Sequence, residues 1–142
     1  PYRRQRQMCI RDRYWSINSM NLVLIAMGGA LGAVSRFLIG NVVSKLTHSS
    51  LPWGTFSINI LGCLFMGFLM TVIMERELLP AAWRLFLCVG FLGGFTTFSS
   101  FGYEALMLLM EGALVQFFAY AAGSVLLGLA AACIGVVLAR LI

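Results

Sequence analysis

The chain has 142 residues, 61% of them hydrophobic and 11% charged, and its mean hydropathy is +0.92. A soluble domain carries roughly 25% charged residues, so this is an integral membrane protein, too short for more than one compact domain. The net charge of +5 argues poorly for nucleic-acid binding: residues 1–19 hold five arginines against one aspartate, and the rest of the chain nets only +1.

Residues 1–19 differ from everything that follows. The run Met8-Cys9-Ile10-Arg11-Asp12-Arg13 resembles a translated adapter, and composition turns abruptly apolar at Met20. The expectation is a non-native or disordered basic tail over 1–19 and a single membrane domain over 20–142.

The first apolar segment runs from about Asn21 to Ser44, with Gly28 and Gly32 as a small-xxx-small pair suited to close helix approach. Arg36 lies inside it; an arginine in a span either snorkels to the interface or pairs within the protein. The loop Lys45–Trp53 contains His48 and Pro52. The second segment runs from about Gly54 to Met74. Thr55 and Asn59 share a face there, and Asn59 either lines a path or hydrogen-bonds a neighbouring helix. The short loop Glu75–Pro80 makes segments two and three antiparallel neighbours.

The third segment, about Ala81 to Met110, is too long for one straight span of ~20 residues. Inside it lies Gly90-Phe91-Leu92-Gly93-Gly94-Phe95-Thr96-Thr97-Phe98-Ser99-Ser100-Phe101. Glycines weaken helices, so a break is expected at this stretch. Irregular backbone at membrane depth belongs where it is buried in protein or lines a watery cavity, which makes this the leading candidate for an ion or substrate site. Phe98 and Phe101, three apart, share a helical face, and Glu104 beyond them is an intramembrane or interfacial acid.

Glu111-Gly112 turns the chain into a fourth segment, about Ala113 to Leu138, where Tyr120, Ser124 and Gly128 form a stripe of the kind that commonly packs helices together. Cys63, Cys88 and Cys133 fall in apolar segments without CxxC spacing and read as small buried hydrophobes, not as a disulfide or zinc set. The expected fold is all-α, with four transmembrane helices and both ends on one side. So small a protomer has little room for a pathway of its own, which points to a homo-oligomer. Arg76, Arg84 and Arg140 on one side against Lys45 on the other give a weak topological bias, which leaves both orientations open to insertion. Two oppositely oriented copies would meet about a two-fold axis in the membrane plane.

Four blocks carry a family resemblance: residues Gly28 to Phe37, residues Gly54 to Gly62, the Gly90 to Phe101 stretch, and Gly123-Ser124. In their order and spacing the chain resembles the CrcB/Fluc fluoride channels over Met20–Ile142. The resemblance implies a dual-topology antiparallel homodimer with two pores that exports fluoride passively across a bacterial inner membrane. It implies that the carbonyls of Gly93 and Thr96 hold a central structural sodium ion with their counterparts in the second copy. It assigns Phe98 and Phe101 to the phenylalanine pair facing the ions, and Asn59 to the pore asparagine. Ser99, Ser100, Tyr120 and Ser124 resemble the polar lining, and Glu104 the acid after the phenylalanine motif. Arg36 matches a first-helix arginine whose role stays open. Departures are Ser100, where the family often has threonine, and Ala121 and Ala122, where some members carry an asparagine.

These residue types suit fluoride. The ion is small and tightly hydrated, so close hydrogen-bond donors must replace its water; Asn, Ser, Thr and Tyr supply them. The rim of a phenyl ring is the positive end of its quadrupole and offers C–H edges to an anion. Conduction needs binding good enough to enter and weak enough to leave. Rival readings are a proton-coupled fluoride carrier titrating at Glu104, a small multidrug exporter, and a structural assembly factor. The exporter needs an acid in the first helix, which residues 21–44 lack. An enzyme reading fails for want of a nucleophile–base pair or an HExxH or GxSxG motif.

Overall fold

The computed structural model describes residues 18–47 and 49–142. Its elements are α1 (Ser19–Thr47), α2 (Trp53–Met74), α3 (Ala81–Trp83), a π-helix π1 (Arg84–Leu92), α4 (Gly93–Phe95), α5 (Phe98–Met110) and α6 (Leu114–Arg140). Four stretches among the described residues are long and apolar enough to cross a membrane: Ser19–Thr47, Trp53–Met74, Arg84–Met110 and Leu114–Leu141. This is an all-helical, multi-pass membrane protein.

The first helix starts slightly earlier than composition suggests. Asn18 Oδ1 accepts a hydrogen bond from the Met20 amide at 3.3 Å, the geometry of an N-cap, so Asn18 and Ser19 belong to the helix start. The remainder of the tail expectation falls on residues outside those described. At the other end α1 gains a turn beyond Ser44, closed by Thr47 Oγ1 donating to the Val43 carbonyl at 2.9 Å. After α5, Gly112 turns the chain at a φ of 72°, in the left-handed region that glycine enters most easily.

Two glycine seams hold the helices together. α1 lies against π1 and α4. A methyl group on Gly28 or Gly32 would run into the backbone carbonyls of Phe86 and Phe91. Along the other seam α2 packs on α6, where a methyl on Gly135 would meet the carbonyl of Leu64. Lipid offers no hydrophobic drive between helices, so close backbone approach of this kind, with the dispersion contacts it allows, is what associates them. At one end an ion pair ties the two seamed helices: Arg140 Nε and Nη2 donate to Glu75 Oε2 and Oε1 at 2.9 and 3.0 Å.

The glycines of the third span have a packing role that composition does not reveal. Gly90, Gly93 and Gly94 all remain helical, and a side chain on Gly90 or Gly94 would crowd the α1 backbone at Ile25 or Gly29. These two glycines therefore let π1 and α4 pack against the α1 backbone. The residues that leave helical geometry are Thr96 (φ −79°, ψ 157°) and Thr97 (φ −148°, ψ 119°), between α4 and α5.

Candidate functional site

Thr96 and Thr97 are held from several directions. The Thr97 amide donates to Asn59 Oδ1 at 2.9 Å, and Asn59 Nδ2 donates to the Thr97 carbonyl at 3.0 Å. One side-chain amide thus satisfies both backbone groups of an extended residue, as a neighbouring β-strand would. Thr97 also caps α5: its Oγ1 accepts from the Ser100 amide at 3.2 Å and lies 3.2 Å from Ser99 Oγ. The Thr96 hydroxyl donates back to the Leu92 carbonyl at 2.9 Å, and its methyl fills the hollow that Gly62 leaves on α2.

This arrangement has an electrostatic consequence. In an unbroken helix the Thr97 N–H would bond the Gly93 carbonyl; here it is turned to Asn59. The Gly93 carbonyl loses that donor on an exposed residue. The Thr96 carbonyl is approached by Arg36 Nη1 at 3.5 Å. Arg36 thereby reaches the irregular segment from α1. It lines a polar crevice of about 370 Å³ with Asn41, Ser44, Thr55, Thr97 and Ser100.

A second, more apolar groove of about 290 Å³ opens on the other side of the segment, lined by Asn59, Gly62, Cys63, Met66, Thr96, Thr97, Phe98, Phe101, Ser124 and Val125. The Phe98 and Phe101 rings stand 5.5 Å apart on its wall. Phe98 is 82% exposed, so the groove is open on the protomer's surface. Ser124 Oγ is buried and makes no hydrogen bond among the described residues. Such an orphan costs about 1–3 kcal/mol unless something fills its valence.

Behind Phe101 sits a closed polar network. Its ring lies 5.2 Å from that of Tyr120. Tyr120 OH donates to Glu104 Oε2, and Thr55 Oγ1 donates to Glu104 Oε1, both at 2.7 Å. Both oxygens of this acid are therefore engaged, by α6 and by α2.

The residues singled out from sequence divide accordingly. Asn59, Phe98, Phe101 and Ser124 meet at the groove, together with Thr96. Tyr120 and Glu104 lie one ring deeper. Ser100 opens onto the Arg36 crevice, and Ser99 stays exposed beside Thr97. Thr97 was not singled out, although it links Asn59 to α5. Its signal was present: threonine is a favoured N-cap residue, and Thr97 stands directly before the helical run of α5. Sequence spacing puts Thr55 on the face of Asn59, and only the fold brings it to Glu104.

Residues 23–136 match the family described as CrcB-like protein, Camphor Resistance (CrcB). The chain belongs to the CrcB family. Among its relatives is a protein of Chloroflexus aurantiacus named Fluoride-specific ion channel FluC, 48% identical over 84% of this chain and 95% of that protein. Proteins of the same name from Solibacter usitatus and Caulobacter vibrioides are 43% and 42% identical, over 85% and 84% of this chain and 99% and 94% of theirs. The matched CrcB region includes every residue that lines the groove.

Proposed function

We propose that this protein is a fluoride-specific channel that lets the ion leave a bacterial cell passively through its inner membrane. The observation that carries the reading is the groove where Asn59, Phe98, Phe101 and the unbonded Ser124 hydroxyl converge. An anion stripped of water would find ring edges on one wall and hydroxyl and amide groups on the other. Its similarity to channels named for fluoride supports the same ion.

The channel works as an antiparallel homodimer in which the third span is interrupted at mid-membrane. Phe98 and the open side of the groove need a cover, and a second copy provides it. The same pairing brings two sets of Gly93 and Thr96 carbonyls together around a structural sodium ion. Hard carbonyl oxygens suit such a cation, and the Gly93 carbonyl, relieved of the Thr97 donor, has a lone pair to give. One protomer offers too few oxygens by itself. The sodium ion satisfies carbonyls and raises the potential for anions; it is not transported.

A channel is favoured over a proton-coupled carrier by the anchoring of Glu104, whose two oxygens are each engaged by a hydroxyl donor. The deciding experiment is fluoride efflux from liposomes holding the purified protein, read with a fluoride electrode, and current recorded without a pH gradient. Fluoride current with no chloride current is the expected result. Absence of fluoride efflux, or flux that requires a proton gradient, would overturn the channel reading.

A further inference from the structure

The aromatic contacts that begin at Phe98 continue past Phe101. The Tyr120 ring lies 5.2 Å from Phe101 and 6.4 Å from Phe56. Phe56 in turn meets Trp53 edge to face at 5.4 Å. Rings therefore follow one another from the groove, through α5 and α6, to the first turns of α2. Phe56 adjoins Thr55, so α2 grips the Tyr120–Glu104 pair at both ends: the Thr55 hydroxyl on the carboxylate, the Phe56 ring on the phenol's ring. Tyr120 is only 3% exposed, and its hydroxyl is fixed by Glu104. Its ring plane is set by its neighbours. Beside Phe56 and Tyr120 lies an apolar groove of about 260 Å³, lined also by Trp53, Gly123 and Leu127.

We propose that Phe56 is a positioning residue for the pathway: its ring backs Tyr120, and Tyr120 fixes the plane in which Phe101 faces the groove. This rests on the groove being the fluoride path. Removing the Phe56 ring opens room for Tyr120 to swing, and Phe101 loses the surface that orients it.

The test compares the full chain in liposomes with Phe56→Leu, Phe56→Tyr, Tyr120→Leu and the Phe56→Leu/Tyr120→Leu pair. Efflux is normalised to correctly assembled protein. Phe56→Leu slows fluoride efflux by about two- to tenfold, the range that losing an aromatic pair allows. Phe56→Tyr restores it, since the ring is kept and the hydroxyl has the neighbouring groove to enter. In the Tyr120→Leu background Phe56→Leu adds no further loss, because the relay is already cut. A second readout needs no transport: in fluorotyrosine-labelled protein, the Tyr120 fluorine resonance is single in the parent and broadens or splits in Phe56→Leu. A parent that passes no fluoride sinks the channel reading and leaves the ring contact to be judged by that resonance. Unchanged efflux with an unchanged resonance in Phe56→Leu overturns the proposal. So does a Phe56→Leu loss undiminished in the Tyr120→Leu background, or one confined to the amount of protein assembled.

Discussion

At the scale of single residues, Asn59 has two duties that the sequence could not separate. A polar side chain a quarter of the way into a span is legible as either a path residue or a partner for another helix. Here its amide bonds both backbone groups of Thr97 and also borders the groove. The partner was hidden because it is backbone, and backbone carries no residue-type signal. Asn59→Ala should cost about 2 kcal/mol or more, by stranding the N–H and C=O of a buried threonine. Asn59→Asp keeps an acceptor for the Thr97 amide but sets a second carboxylate oxygen against the Thr97 carbonyl, and it puts negative charge in an anion path. Fluoride efflux should vanish even in the fraction that folds, as read by electrode after size-exclusion chromatography. The phenylalanines divide differently. Phe98 is 82% exposed, so Phe98→Ile should barely move protomer stability while cutting efflux by at least about tenfold. Phe101→Ile should lose efflux and about 1 kcal/mol of stability as well, because that ring also touches Tyr120.

At the scale of elements, hydropathy located all four spans to within a few residues, because length and apolar composition alone decide what can cross a bilayer. The glycine stretch of the third span could be located in the sequence, but what each glycine touches could not. Glycines are expected to loosen the third span; Gly90 lies in π1, Gly90 and Gly94 also bring the span against α1, and the extended residues are two threonines caught by α2. Propensity cannot distinguish a glycine that frees backbone from one that lets two backbones touch, since only the neighbour decides. Gly32→Ala should therefore destabilise by about 1–3 kcal/mol through overpacking against a backbone carbonyl that has no side-chain rotation to escape by. Thermal unfolding in detergent measures this. Gly102→Ala is the contrast: its added methyl meets nothing within 4 Å on the protomer, so the protomer fold should be untouched. Loss of assembly in that variant would place a second copy against α5.

At the scale of the whole molecule, the ends of α2 and α6 are joined by the Glu75–Arg140 pair. The hydrogen bonds from Arg140 hold the Glu75 carboxyl below its usual value near 4.5. A carboxyl whose pKa is lower folded than unfolded stabilises fully above its unfolded value and loses that contribution as pH falls through the folded one. The melting temperatures of the parent and Glu75→Gln should therefore differ above about pH 5 and converge in stronger acid. The difference should be small and shrink with salt, as both partners lie in the open. The proposed sodium predicts a different dependence. Slow exchange into a large organic cation should abolish efflux, and readmitted sodium should restore it; full activity after verified removal would exclude the ion. The amide clasp on Thr97 reaches further than stability. Its N–H is sealed by one rotatable side chain, not by a helical turn, so its deuterium uptake should follow the swing of Asn59 and not the unwinding of either flanking helix. A single amide signal would then time the loosening of this one segment while the rest of the bundle stays dark.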